Sequence, residues 1–419
     1  MKKHYDLIVV GAGYAGVGAA ISAARQGMEV LLLDRNNAPG GASCGNLVVP
    51  FMKFWTVDPA TQEKVYLAKG IFSELIEQLD ACGEFLGEKR FSEEYVKLFF
   101  NRMLLKAGVH LLYQSYLCDA EYEGDTLKSV TVVNISGKQT FTADYFIDAT
   151  GDGNLAVMTG CPFHLGRDGD HLCQPMTLCF RVANVDIEKF KEEKPAMQEL
   201  YKKYQAEGKI KNCRENILTF FMPVDGVVHF NSTRIVKRDP TNVEDVTLAE
   251  IEAREQVFEL FFFLRDNFES FKKADVLSTA PQIGVRESRM IEGDYLLTKD
   301  DLISCKRFED SIAVCNYDID IHNPEGTGTS HYYFPDGEYY TIPYRCLTPK
   351  TKKNLWVAGR CISSTHEAQA SYRIMPICVC LGQAAGTAAA LAKKSACGNR
   401  EIDIAALQAA LEAQNLKIY

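Results

Sequence analysis

An α/β fold with a separate α+β block is what the 419-residue sequence predicts. Three observations carry that expectation. The first 34 residues alternate strand, glycine turn, helix and strand. Two later apolar runs, Tyr145–Ile147 and Leu355–Val357, each stop at a glycine-bearing turn. Between them, over 166–334, the periodicity shifts to short strands around one clear helix.

Leu7 to Val10 is a continuous apolar run, the pattern of a strand buried on both faces. It ends at Gly11-Ala12-Gly13-Tyr14-Ala15-Gly16, a GxGxxG. Small residues then run helically to Arg25, with Gly27 as the stop. Val30 to Leu33 is a second apolar strand, closed by Asp34. Gly11 permits the tight turn, Gly13 lets backbone approach a pyrophosphate, and Gly16 lets the helix lie close on the strand. The helix start turns free N–H groups and a positive dipole end toward phosphates. Asp34, about 20 residues on, is placed to accept hydrogen bonds from ribose hydroxyls. Together these parts define a Rossmann-type dinucleotide site, with Tyr14 and Ala15 in its cradle. Arg35 follows, but an acid in the ribose position repels a 2′-phosphate and disfavours NADP. Pro39-Gly40-Gly41-Ala42-Ser43 is then a loop whose backbone can lie beside another part of the same ligand.

Composition narrows the class. Apolar content of 47% and charged content of 24% are ordinary for a globular chain, and a net charge of −9 argues against binding nucleic acid or anionic lipid by charge alone. Fourteen cysteines contain no CxxC pair, so neither a zinc ribbon nor a thioredoxin-like dithiol is written here. The N-terminus has the lysines and apolar residues of a secretory leader, yet Asp6 and four glycines interrupt it. No other stretch reads as long and apolar enough to span a bilayer, so the expectation is a cytoplasmic protein with no membrane or nucleic-acid partner.

Further along, Ser92 to Gly108 reads as an amphipathic helix and Val109 to Tyr113 as a strand leading to adenine contacts at Tyr116 and Leu117. Residues 128–144 alternate as a hairpin around Ser136-Gly137-Lys138. In the middle block, Thr247-Leu248-Ala249-Glu250 matches a capping box for a helix running toward Phe268, whose phenylalanines read as core.

The glycine loop resembles the GGxS segment of glutathione-reductase-like FAD enzymes, and Asp148-Ala149-Thr150-Gly151-Asp152-Gly153 resembles their ATG segment. IGVRESR at 283–289, GDY at 293–295, IPYRCLTPK at 342–350, NLWVAGRCIS at 354–363 and QASYRIMPICVCLGQAAGTAAAL resemble the FAD-dependent oxidoreductases distantly related to fumarate reductase flavoproteins. The resemblance spans nearly the whole chain. It implies noncovalent FAD in a discontinuous domain made of 1–165 and 335–419, with a substrate or cap domain at 166–334 inserted. It further implies cofactor contacts at Gly40, Gly41, Ser43, Thr150, Gly151, Asp152, Gly359, Arg360, Ser371, Met375 and Pro376. Arg360 stands where many relatives carry an acid for the ribityl chain, so that role does not transfer.

Chemistry candidates follow. In Tyr317-Asp318-Ile319-Asp320-Ile321-His322 strict alternation puts Asp318, Asp320 and His322 on one strand face. His322 is the first candidate for moving a proton; a metal there is not expected. Arg373 is placed to stabilise negative charge, and His366 is a further candidate. His331, Tyr332 and Tyr333 are second-rank pocket residues. Arg286 and Arg289 flank Glu287 as an ion-pair network, Arg345 is a weaker candidate for a substrate carboxylate, and His110 and His229 are structural. Cys44 could approach the flavin but reads as a small buried residue. Cys378 and Cys380, two apart on a helix, point away from each other and do not chelate one metal.

The resulting expectation is hydride transfer between a small organic substrate and flavin N5. No second GxGxxG follows a strand, so electrons enter or leave through the substrate, dioxygen or a separate carrier acting as an external redox partner. A flavin monooxygenase and an electron-transfer module remain alternatives.

Overall fold

The computed structural model describes residues 2–87 and 89–419. The strand His4–Val10 pairs in parallel with Val30–Leu33 on one edge and with Gly137–Asp148 on the other. His110–Leu112 extends the sheet beyond Val30–Leu33. Leu7, Ile8 and Val9, with all of Val30–Leu33, are fully buried, as a sheet covered on both faces requires.

Gly137–Asp148 has two partners along its other edge. Residues Gly137–Thr142 form the antiparallel arm of a hairpin with Thr126–Asn134, while Phe146–Asp148 pair in parallel with Leu355–Val357. The sequence reads a hairpin and then a separate strand; the structure has one unbroken strand of 12 residues. The hairpin partner gives way to the C-terminal strand, so both ends of the chain build one α/β sheet.

The helix Tyr14–Arg25 is covered by the helix Met375–Ser395. A Cβ added at Gly382 would come within 2.6 Å of the Ala15 carbonyl carbon, so only glycine allows this crossing. Ser22 Oγ and Thr387 Oγ1 meet at 2.8 Å across it. Among the described residues, Met375–Ser395 is long and apolar enough to cross a membrane, contrary to the sequence reading. Its composition has another cause: 94% of the apolar window is buried inside the protein, where small residues let two helices approach closely.

A second core, drawing on residues 176–283 and Leu47, lies around a four-stranded antiparallel sheet. Phe180 stacks on Phe230 at 4.6 Å between ring centroids. Ile291, Leu297, Ile312 and Ile319 pack instead into the first core. Two helices flank the second sheet, Ile187–Ala206 and Val243–Asn267. The first is missed by sequence reasoning because Pro195 interrupts a highly charged segment. The second starts one turn earlier than expected. Asn242 caps it by accepting from the Glu244 and Asp245 amides, whereas Thr247 lies inside and donates to Val243 O at 2.7 Å. Its phenylalanines divide by helical phase: Phe261 and Phe263 are buried, Phe258 and Phe262 exposed.

Candidate active site

The GxGxxG turn is held by neighbouring backbone. Gly11 has φ +102°, and its N–H donates to Leu33 O at 2.7 Å. The Gly40 N–H donates to Ala12 O at 2.8 Å, and a Cβ on Gly41 would sit 2.8 Å from Gly13 Cα. Turn and glycine loop therefore form one wall. Where the sequence reads a plain loop, Gly41–Gly45 is a turn of helix. Asp34 locks this corner: Oδ2 accepts from the Ala12 amide at 2.5 Å and Oδ1 from the Asn36 amide at 2.6 Å.

A cavity of about 340 Å³ opens along that wall. Of the expected cofactor residues, Gly11, Gly13, Tyr14, Ala15, Asp34, Arg35, Gly41, Tyr116, Leu117, Thr150, Gly151, Gly359, Arg360 and Met375 line it. The remaining six stand behind it. Gly16 lies against the Gly11 carbonyl. Gly40 and Ser43 brace the loop, where Ser43 Oγ donates to Gly40 O at 3.1 Å and accepts from Tyr14 Oη at 3.0 Å. Pro376 sits in the first turn of its helix. Ser371 is buried and donates to Tyr317 O at 2.5 Å. Asp152 pairs with Arg360 and accepts from Ser288 Oγ at 2.7 Å; burial raises its carboxyl, but Arg360 and Ser288 outweigh that and hold it below the ordinary range. Arg360 also donates to Gly151 O at 2.8 Å and Val285 O at 2.5 Å. It ties three loops together, which accounts for a cation where relatives place an acid. Asp148, missed from sequence, is fully buried with its carboxyl raised by that burial, and it fixes the Thr150 turn through Thr150 Oγ1 at 2.7 Å.

The cavity continues to a polar wall formed by Tyr317, Asp320, His322, Arg286 and Arg373. His322 Nδ1 lies 3.0 Å from Arg234 Nη2. A guanidinium can only donate, so Nδ1 accepts and the proton sits on Nε2, 3.5 Å from Asp320 Oδ2. Burial, aided by the Arg286 charge, pushes His322 down to about 3, so the imidazole is neutral. Asp320 accepts from Tyr317 Oη at 3.0 Å, while its Oδ1 has no hydrogen-bond partner. Burial opposes its charge, but the His322 bond and Arg373 outweigh it, holding Asp320 below the ordinary carboxylate range. Arg373 donates to Gln174 Oε1 at 3.3 Å and leaves Nε buried without a partner.

Other candidates fall elsewhere. His366 is off the cavity wall; its Nδ1 pairs with Glu287 Oε1 at 2.7 Å. Glu287 thus serves His366, and the expected network with Arg286 and Arg289 does not form. Asp318, Asp320 and His331 bring ligand-type atoms within 4.8 Å of one another. His331 joins them because the hairpin register sets it opposite Asp320, a cross-strand relation invisible in linear spacing. His331, Tyr332 and Tyr333 do not line the cavity, and Arg345 pairs with Asp310 at 2.9 Å outside it. His110 bonds Tyr5 Oη at 3.1 Å, and His229 is fully buried in the second core's sheet. Cys44 is buried, off the cavity wall, and its thiol is pushed up to about 12 by burial. All fourteen cysteines are free.

Parallel strands whose first turn is a glycine cradle closed by an acid define a dinucleotide-binding α/β fold. The chain belongs to the FAD dependent oxidoreductase family, whose profile matches residues 6–411. It is 30% identical over 168 residues to digeranylgeranylglycerophospholipid reductase of Methanocella arvoryzae, a match covering 36% of this chain and 40% of that protein. It is 26% identical over 206 residues to the tRNA uridine 5-carboxymethylaminomethyl modification enzyme of Caldicellulosiruptor saccharolyticus, covering 46% of this chain and 32% of that protein. The chain therefore spans less than half the length of these curated relatives. Among solved structures, a geranylgeranyl bacteriochlorophyll reductase-like protein from Thermoplasma acidophilum aligns over 98% of this chain and 83% of its own, with 11% identity and a TM-score of 0.49.

The residues present fit FAD. Gly13 and Gly41 leave a side-chain-free surface, Asp34 puts an acceptor beside it, and Tyr116 and Leu117 add an aromatic and apolar flank. Gly11, Gly13 and Gly41 would meet the pyrophosphate, and Asp34 the ribose.

Proposed function

We propose that this enzyme exchanges a hydride between a small organic substrate and FAD, inside the cavity shared by the glycine cradle and the polar wall. The observation that carries the reading is that one cavity reaches from Gly13 and Asp34 to Asp320, His322 and Arg373. FAD, when bound, supplies the two-electron acceptor or donor. Asp320 Oδ1, buried without a hydrogen-bond partner and 3.8 Å from His331 Nδ1, is the carboxylate oxygen left for the substrate proton. His322, neutral and with Nδ1 committed to Arg234, aims its Nε2–H at Asp320 and fixes that carboxylate; the imidazole expected to move the proton positions the group that takes it. Arg373 stabilises negative charge at the same wall. With no second GxGxxG, electrons pass onward through a separate carrier.

Purified protein should be yellow and hold FAD noncovalently; a colourless protein that takes up no added FAD rejects the reading. Anaerobic mixing with a panel of metabolites should bleach or restore the flavin band for at least one of them. Asp320→Asn should slow that reaction at least tenfold with FAD content unchanged, and His322→Gln should slow it less. Equal rates in both variants and the wild type would remove this wall from the reaction.

A further inference from the structure

Arg286 and Arg373 line the polar wall, Arg234 stands behind it with Nη2 3.0 Å from His322 Nδ1, and a fourth guanidinium, Arg214, is buried nearby. Each of the other three bears on the Arg286 charge. Arg286 and Arg373 line the cavity, and Arg214 and Arg234 are almost fully buried. The local carboxylates do not balance them. Glu215 is committed to Arg234 at 3.2 Å and accepts from Thr329 Oγ1 at 3.0 Å. Asp320 supplies a second negative charge, felt by Arg373 and Arg286, so two carboxylates face four guanidiniums. Among the described residues, Arg214, Arg286 and Arg373 form no ion pair at all, and Arg214 Nε, Arg214 Nη1 and Arg373 Nε are buried without hydrogen-bond partners.

Grouping unpaired cations away from water is costly unless an anion joins them. We propose that the substrate carries a carboxylate, which Arg286 and Arg373 bind directly while Arg214 and Arg234 reinforce the positive field behind them. This rests on reading the cavity as the substrate site. The arginines are not part of the glycine cradle. Arg286 is held by Pro175 O at 2.6 Å and Thr177 Oγ1 at 2.5 Å, from the segment that enters the second core, whereas the cradle is held by Asp34 and Gly40. A planar guanidinium presents paired N–H groups that match the two oxygens of a carboxylate. The crowding of like charges also pushes Arg286 down to about 9, after burial itself, and a bound anion relieves both. The site therefore selects acids over their uncharged amides.

The test is calorimetric titration and thermal shift of the purified holoprotein and of FAD-stripped protein, at constant ionic strength. The probes are lactate, succinate and benzoate against lactamide, succinamide and benzamide, with sulfate and phosphate as further arms. At least one carboxylate should bind the holoprotein at least tenfold more tightly than its amide. Arg373→Gln should erase that preference and Arg286→Lys, which keeps the charge but loses the fork, should reduce it at least threefold, while Arg345→Gln, outside the cavity, should keep it. Equal binding of acid and amide, or an acid preference unchanged in both Arg373→Gln and Arg286→Lys, overturns the proposal. So does binding of sulfate or phosphate without any carboxylate, or carboxylate binding only to stripped protein and lost on adding FAD. Colourless protein that still prefers acids rejects the functional reading and keeps this one; yellow protein without the preference rejects this one alone.

Discussion

The Ala12 amide donates to Asp34 Oδ2 at 2.5 Å, joining the glycine turn to the end of the neighbouring strand. The other carboxylate oxygen takes the Asn36 amide. Asp34→Ala orphans two N–H groups, each costing about 1–3 kcal/mol when left unpaired. The variant should unfold at lower denaturant and retain less FAD after gel filtration. Wild-type FAD retention in a folded variant would remove Asp34 from the cradle.

Gly382 marks where two helices cross with no room for a side chain. Gly382→Val should cost about 1–3 kcal/mol or more through overpacking, read by urea unfolding. Gly326→Ala, where an added Cβ meets nothing within 4 Å, should leave stability unchanged and serves as the control.

His229 is fully buried with neither ring nitrogen bonded, and burial pushes it down to about 3. The unfolded chain protonates this histidine near its ordinary value of about 6.5. Between those values the unfolded state binds a proton that the folded state refuses, so stability falls as pH drops from about 6.5 toward 3. Each such histidine contributes a slope of up to about 1.4 kcal/mol per pH unit. His322 behaves alike. His229→Phe should therefore flatten the decline by close to one proton, measured by urea unfolding across that range. An unchanged slope would show that His229 is protonated in the folded state.

Arg360 holds Asp152, Gly151 and Val285 together. Arg360→Lys keeps the charge but loses the fork, and Asp152→Asn leaves the guanidinium without its counter-charge; each should destabilise by about 3 kcal/mol. The double variant should cost less than the sum, which a double-mutant cycle would detect as coupling. Strict additivity would mean the two act independently.

Much of the cofactor half was legible because its signals are local. Strand, glycine turn, helix and acid occur within 34 residues, and the packing of Gly382 against the first helix follows from a run of small residues. Reading from sequence failed where a local match met a stronger neighbour. Thr247 resembled a cap, but Asn242 one turn earlier offers a better one. Glu287 sat between two arginines, yet its carboxylate reaches His366, seventy-nine positions away in sequence.

By itself, then, the sequence determined the first parallel strands and their nucleotide cradle, since both depend on short-range pattern and residue size; the joining of the chain's two ends came from the family resemblance, and the structure shows it in the pairing of Phe146–Asp148 with Leu355–Val357. Only the tertiary structure decided which charged groups face one another. Burial and the Arg286 charge keep His322 neutral, Tyr317 and His322 take one Asp320 oxygen and leave the other without a hydrogen bond, and Arg286 and Arg373 reach one cavity from segments far apart in sequence. Charge depends on environment, and environment is assembled from residues far apart in the chain.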